Sequence, residues 1–180
     1  MASEFQRVKV TGAFRAMGGD RDGYLREGDF AALAGRWTTL RGTAPGSAEY
    51  ARLHEIMMRW WYTLQVSAAR EDRVTVDDVL TVVDHLHEMP EAVTATAEAM
   101  FEAVDGNGDG RISAAEYRQL IEAWNGRPTD TDQIFPRLDL NGDGHLSRVE
   151  FTELWTQFWA GDDPGAPGTW VFGPPASGAP

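Results

Sequence analysis

The sequence contains no cysteine. Disulfides, thiol nucleophiles and thiolate metal sites are therefore excluded, and the composition suits a reducing compartment. Lysine is nearly as scarce, with Lys9 alone against fifteen arginines. Positive charge as a whole is short: 16 Lys plus Arg stand against 28 Asp plus Glu, for a formal net charge of −12. A field of that sign repels phosphate backbones and anionic lipid surfaces and draws cations, so neither nucleic acid nor membrane insertion is expected. No apolar run approaches the ~20 residues of a membrane-spanning helix. The first ten residues lack the apolar core of a signal peptide. These features predict a cytoplasmic protein. The arginine excess, with abundant Ala and Gly, is the composition expected of a GC-rich bacterial genome.

Catalytic signatures are missing too. There is no Gly-rich phosphate loop and no nucleophile elbow. The stretch His85-Leu-His-Glu88 lacks the His-Glu-x-x-His spacing of zinc hydrolases, and His85 and His87 fall on opposite sides of a helix. His54 and His145 are expected at the surface. The chain is not expected to be an enzyme.

What is present is a 42% apolar complement with seven Trp, enough for a sizeable core, and a repeat. Asp105-Gly-Asn-Gly-Asp-Gly-Arg-Ile-Ser-Ala-Ala-Glu116 is matched 34 residues later by Asp139-Leu-Asn-Gly-Asp-Gly-His-Leu-Ser-Arg-Val-Glu150. The flanks repeat as well. Phe101 and Val104 precede the first loop, as Phe135 and Leu138 precede the second. Tyr117, Leu120, Ile121 and Trp124 follow the first, and Phe151, Leu154, Trp155 and Phe158 follow the second. Each following set is spaced i, i+3, i+4, i+7, one stripe of a helix.

The stripe recurs at Phe30, Leu33, Ala34 and Trp37 after a loop at 18–29, and at Val79, Val82, Val83 and Leu86 after a loop at 67–78. Position eight of the four loops is Leu25, Val74, Ile112 and Leu146, apolar as needed where paired loops meet in a short two-stranded ladder. The spacing predicts an all-α chain of four helix–loop–helix units packed in two pairs. The N-terminal pair is placed at 1–89, the C-terminal pair at 90–160 and a Gly/Pro-rich tail at 161–180, with Trp170 and Phe172 to pin it to the body. Ser47 is placed to cap one helix and Pro90 to open another. Asp130 and Gln133 have capping-box spacing, and Pro136 is expected to bend a short helix. The long first gap leaves residues 38–66 to hold extra structure around Trp60-Trp61-Tyr62.

The two complete loops carry the chemistry. Ca²⁺ takes six to eight hard oxygen ligands. Asp105, Asn107 and Asp109 can present side-chain oxygens, Arg111 a backbone carbonyl, and Glu116 both carboxylate oxygens, with a water bridging at Ser113. Asp139, Asn141, Asp143, the His145 carbonyl and Glu150 repeat that set. Gly110 and Gly144 permit the bend. Three carboxylates per loop repel one another without a cation. The first loop is weaker: Gly18 offers no carboxylate and Asp29 is a methylene shorter than Glu, leaving Asp20, Asp22, the Tyr24 carbonyl and Asp29 for a weak metal. The second loop, with Ala69 and Asp72 at key positions, is expected to be metal-free.

With these residues the chain resembles the EF-hand superfamily and, more narrowly, the sarcoplasmic calcium-binding proteins and their bacterial, calerythrin-type relatives. The narrower likeness rests on the long first gap, the silent second loop and the tail Gly161-Asp-Asp-Pro-Gly-Ala-Pro-Gly-Thr-Trp-Val-Phe-Gly-Pro174. It implies a single compact body of four units that binds Ca²⁺ at two sites, with Mg²⁺ competition, and acts in buffering or signalling. Gly18 departs from the metal-competent first loop usual in the family. A calcium sensor with a protein target is the alternative, but the C-terminal half is aromatic rather than Met-rich, which favours a fixed core. Met57 and Met58 are expected in the core. A second alternative is a small-molecule cavity like that of the luciferin-binding proteins and photoproteins, which seven Trp permit.

Overall fold

The helices begin where hydroxyl side chains can cap them. The structure, a computed structural model, describes residues 2–19 and 22–174. Ser3 caps α1 (Glu4–Phe14), Ser47 caps α3 (Ala48–Ser67), Thr75 caps α4 (Val76–His85), Ser113 caps α6 (Ala114–Asn125) and Ser147 caps α8 (Arg148–Trp159). Each hydroxyl accepts from the backbone N–H three residues on, satisfying a donor the helix leaves open. α2 (Glu27–Leu40) starts without such a hydroxyl, and α5 (Pro90–Val104) starts on Pro90, whose missing N–H costs nothing there. α7 (Phe135–Leu138) is a single turn.

Two sequence expectations are corrected around α7. Asp130 and Gln133 do not cap it. Asp130 Oδ1 instead accepts from Asp132 N–H at 2.9 Å, and the backbone of Ile134 and Phe135 bonds to the Thr131 carbonyl. Pro136 does not bend a helix either, because it sits within the first turn. The long first gap is filled by continuing α2 to Leu40 and by the twenty-residue α3. That helix buries Met57, Met58 and Trp61 and leaves Tyr62 exposed.

Loop pairing follows the apolar eighth positions. β1 (Arg111–Ser113) and β2 (His145–Ser147) form an antiparallel ladder with Ile112 opposite Leu146. Leu25 and Val74 meet in one bridge, exchanging N–H···O bonds of 2.9 and 2.8 Å. All four side chains are buried.

The N- and C-terminal halves share one buried apolar cluster, and polar contacts stitch them. α2 lies on α3 and also on α6. Arg36 Nε donates to the Ala123 carbonyl at 2.7 Å, Arg41 Nη1 to Val104 O at 3.0 Å, and Trp124 Nε1 to Ala13 O at 3.0 Å. The tail lies on α8. Pro167–Trp170 form one 3₁₀ turn, Tyr117 donates to the Val171 carbonyl at 2.9 Å, and Phe172 packs on Trp124 and Phe158 with ring centroids 4.4 and 4.7 Å apart. Gly168 is required at this crossing, since a Cβ there would lie 2.4 Å from the Leu154 carbonyl oxygen.

Lys9, the one lysine, is buried beside that junction. Its Nζ donates to the carbonyls of Gln157 and Gly161, at 3.1 and 2.8 Å, where α8 ends, a favoured place for a cation. Desolvation outweighs the nearby Asp162 charge and pushes its pKa down to about 8. The unfolded chain therefore holds this proton up to about pH 10.5 while the native protein releases it from about pH 8. Stability should rise across that window, because the unfolded state binds more protons there. Urea melts of wild type and Lys9→Met should diverge between pH 8 and 10.5, with wild type gaining up to about 3 kcal/mol over the variant. Curves that stay parallel would refute the buried-charge account.

Candidate metal centre

The loops at 105–116 and 139–150 fold around the same set of hydrogen bonds. Asp105 Oδ1 accepts from Gly108 and Asp109 N–H at 2.8 and 3.2 Å, and its Oδ2 from Gly110 at 2.9 Å. Asp139 does the same with Gly142, Asp143 and Gly144 at 2.9, 3.2 and 2.8 Å. Asn107 and Asn141 each accept from the N–H two residues on, both at 2.9 Å. Asp109 and Asp143 accept from Arg111 and His145 N–H, again both at 2.9 Å. Every one of these acceptors is a hard oxygen. Left-handed glycines make the path possible: Gly110 and Gly144 at the expected bend have φ of 79° and 83°, and Gly108 and Gly142 share the conformation.

Glu116 and Glu150 close the loops from the far end. Each accepts at Oε2 from the backbone N–H and hydroxyl of the serine three residues earlier, Ser113 or Ser147, at 2.7–2.9 Å. The same two residues form the capping boxes of α6 and α8. Glu116 also reaches across the loop, its Oε1 accepting from Gly106 at 2.8 Å and Asn107 at 3.3 Å. Burial works to raise the Glu116 carboxyl, but these hydrogen bonds outweigh it and hold the group below the usual carboxylate range. Arg111 and His145, the carbonyl candidates, open β1 and β2. Among the described residues no three acidic or histidine side chains are drawn into one closed cluster.

The other two loops are occupied by their own side chains. Arg26, at position nine of the first loop, donates to Asp22 Oδ2 at 2.7 Å, and its hydrogen bond holds the Asp22 carboxyl low. Asp29 Oδ2 accepts from Arg26 N–H at 2.8 Å. Gly18 takes φ of 129°, a backbone unlike the −63° of Asp105, and Asp20 lies outside the described residues. In the second loop Asp78 is saturated by Thr75 N–H and hydroxyl and by Ala69 N–H, at 2.7–3.1 Å. Asp72 pairs with Arg73, and a bridge between Arg70 and Arg73 closes the turn. His85 and His87 are both exposed, while His54 and His145 are half-buried.

Sequence reasoning missed two features. The Ser-x-x-Glu spacing at positions nine and twelve announces the capping boxes and was readable. The seat of Arg41 was not: its guanidinium, donating to Val104 O and paired with Glu49 at 3.2 Å, lies over Gly106 at the second position of a complete loop.

With this geometry in place, residues 94–156 match the family model of an EF-hand domain pair. The chain is 35% identical over 108 residues to the sarcoplasmic calcium-binding protein alpha-B and -A chains of Penaeus sp., a match spanning 55% of this chain and 56% of that relative. It is 28% identical over 177 residues to sarcoplasmic calcium-binding protein 1 of Astacus leptodactylus, spanning 86% and 88%. In fold it is similar to the coelenterazine-binding protein of Renilla muelleri in its Ca-loaded apo form, with a TM-score of 0.71, 21% identity and coverage of 95% and 98%. It is also similar to a calcium-binding protein of Streptomyces coelicolor, with a TM-score of 0.67, 21% identity and coverage of 88% and 99%. These sequence relatives are crustacean and are calcium-binding proteins, consistent with the expectation of a non-enzyme.

The Arg41 seat generates a test. A Cβ on Gly106 would stand 2.0 Å from Arg41 Nη1, so Gly106→Ala must expel the guanidinium and break its bond to Val104. Thermal melts should show a loss of about 1–2 kcal/mol. The double variant Gly106→Ala/Arg41→Ala should lose no more than Arg41→Ala alone. Additive losses would mean that the glycine matters for another reason.

Proposed function

We propose, for a chain of the EF-hand superfamily with homologues among the sarcoplasmic calcium-binding proteins, that it buffers intracellular Ca²⁺ by taking up two ions, one in each of the loops 105–116 and 139–150. Asp105, Asn107, Asp109, the Arg111 carbonyl and Glu116 hold one ion. Asp139, Asn141, Asp143, the His145 carbonyl and Glu150 hold the other. The observation that carries this reading is the duplicated net of side-chain oxygens on glycine-bent loops. The donor set fits a hard cation: it is all oxygen, three of the side chains in each loop are carboxylates, and Glu116 demonstrably reaches back to the loop entrance. Mg²⁺ is the natural competitor.

On this reading the chain holds four EF-hand units, a pair in 1–89, a pair in 90–160 and the tail at 161–180 on top, in a bacterial cytoplasm. The first two loops stay empty of metal, because Arg26 already neutralises Asp22 and backbone N–H groups already saturate Asp78. Buffering is favoured over sensing by the core. Met100 is buried, and Phe101, Phe151 and Trp155 interlock at 5.6–5.9 Å, so the half that carries the two loops is packed on rigid rings and not on adaptable methionines.

Calorimetric titration should count two Ca²⁺ per chain, and Glu116→Gln or Glu150→Gln should each remove one. Saturation at 100- to 1,000-fold excess over Kd should stabilise the fold by about 3–4 kcal/mol per site against melting in chelator. A protein that takes up no calcium would overturn the reading. A large calcium-induced rise in binding of an apolar surface dye would replace the buffer with a sensor.

A further inference from the structure

The apolar interior is not filled. A cavity of about 380 Å³ lies between the N-terminal half and α5, far larger than the gaps a close-packed core leaves. Phe14, Phe30, Met57 and Val83 form its floor, and Trp124 and Trp159 reach it from the C-terminal half. Its exposed lining residues include Arg59 and Thr63 of α3 and Ala92 and Ala95 of α5, and the alanines are too small to cover the space.

Several of the polar side chains around this space are engaged, and one buried donor is not. Arg59 at the rim is exposed and pairs with Glu55 at 2.8 Å. Thr63 donates to the Arg59 carbonyl. Thr96 donates to Val93 O and accepts from Trp155 Nε1. Trp159 is 7% exposed, yet its indole N–H finds no hydrogen-bond partner among the described residues. A buried donor left unmade is costly, and an apolar void of this size attracts organic molecules rather than water.

We infer that this cavity is a binding site for one uncharged, largely apolar organic molecule carrying a single hydrogen-bond acceptor, an oxygen that receives the Trp159 N–H. The apolar wall supplies the affinity, and the indole N–H fixes the orientation. The charge complement of the wall selects against ions, since Arg59 is its one charged residue and is neutralised by Glu55. The site is separate from the calcium loops, so its existence does not depend on their metal.

The probe is prodan, a neutral naphthalene dye with one ketone, titrated into the full calcium-loaded chain. Saturable one-to-one binding with a blue-shifted emission is expected. Ala95→Trp and Ala92→Trp, both at exposed rim positions, should weaken binding at least tenfold while circular dichroism and calcium stoichiometry stay unchanged. Trp159→Phe should weaken prodan by roughly five- to tenfold, the effect of one lost hydrogen bond. The same variant should leave binding of the acceptor-free analogue 2-(dimethylamino)naphthalene unaltered. No saturable binding to the wild type, or binding indifferent to both rim variants, would overturn the site. Equal prodan affinity in Trp159→Phe would overturn the assigned orientation.

Discussion

The two duplicated loops depend on one bond pattern: a carboxylate accepting backbone N–H groups of its own chain. Asp105 and Asp139 each gather three. The partial positive charge of those N–H groups is what lets three acidic side chains stand in a twelve-residue loop at all, since like charges so close repel. A carboxylate oxygen has more than one lone pair, so an oxygen that accepts an N–H can also ligate a cation. The backbone path of each loop is thus held by its own hydrogen bonds, which lowers the cost of organising it on binding. Glu116 and Glu150 extend the same pattern into the helices, because the oxygen that bonds Ser113 or Ser147 is also the reciprocal cap of α6 or α8. Removing either glutamate removes a helix cap and, on the proposed function, a ligand as well.

Positive charge is scarce in this protein, and the structure spends it on the junction between the halves. Lys9 reaches the carbonyls where α8 ends, Arg36 those near the end of α6, and Arg41 that of Val104 at the end of α5. All three come from α1, α2 or the turn after α2, and all three address helix C-termini of the other half, where carbonyls lack helical partners and the dipole is negative. The contacts are directional and partly buried, so they help fix how the halves sit. The large apolar cluster alone would tolerate some sliding.

The folds of the two loops at 105–116 and 139–150 were legible because they obey a local rule: side chains in fixed order, framed by a 3.6-residue apolar stripe that leaves few alternatives. Ile112 opposite Leu146 and Leu25 opposite Val74 were legible for the same reason. The segment before the fourth loop was not. Asp130 and Gln133 carry the spacing of a capping box, but Thr131 is buried and its carbonyl collects the bonds of Ile134 and Phe135, so tertiary packing overrides the local signal. Arg41 over Gly106, Lys9 at the end of α8 and the cavity were invisible to pattern reading. Each depends on residues far apart in the chain meeting at a particular distance, and periodicity carries no information about that.

The placement of the cavity relative to the loops has a mechanical consequence. α5 forms one side of the cavity and ends directly at Asp105. α8 starts beside the Ser147–Glu150 box and ends at Trp159, in the cavity wall. Its twelve residues span about 17 Å from end to end at ~1.5 Å per residue. The rings of Trp60, Trp155, Trp159 and Phe172 pack on one another with centroids 5.5–5.9 Å apart along this helix. On the two readings proposed above, the ion at Glu150 and the apolar molecule at Trp159 would sit at opposite ends of one helix. Whatever free energy couples them must be equal in both directions, so a molecule in the cavity would alter calcium affinity by the same factor by which calcium altered its own binding.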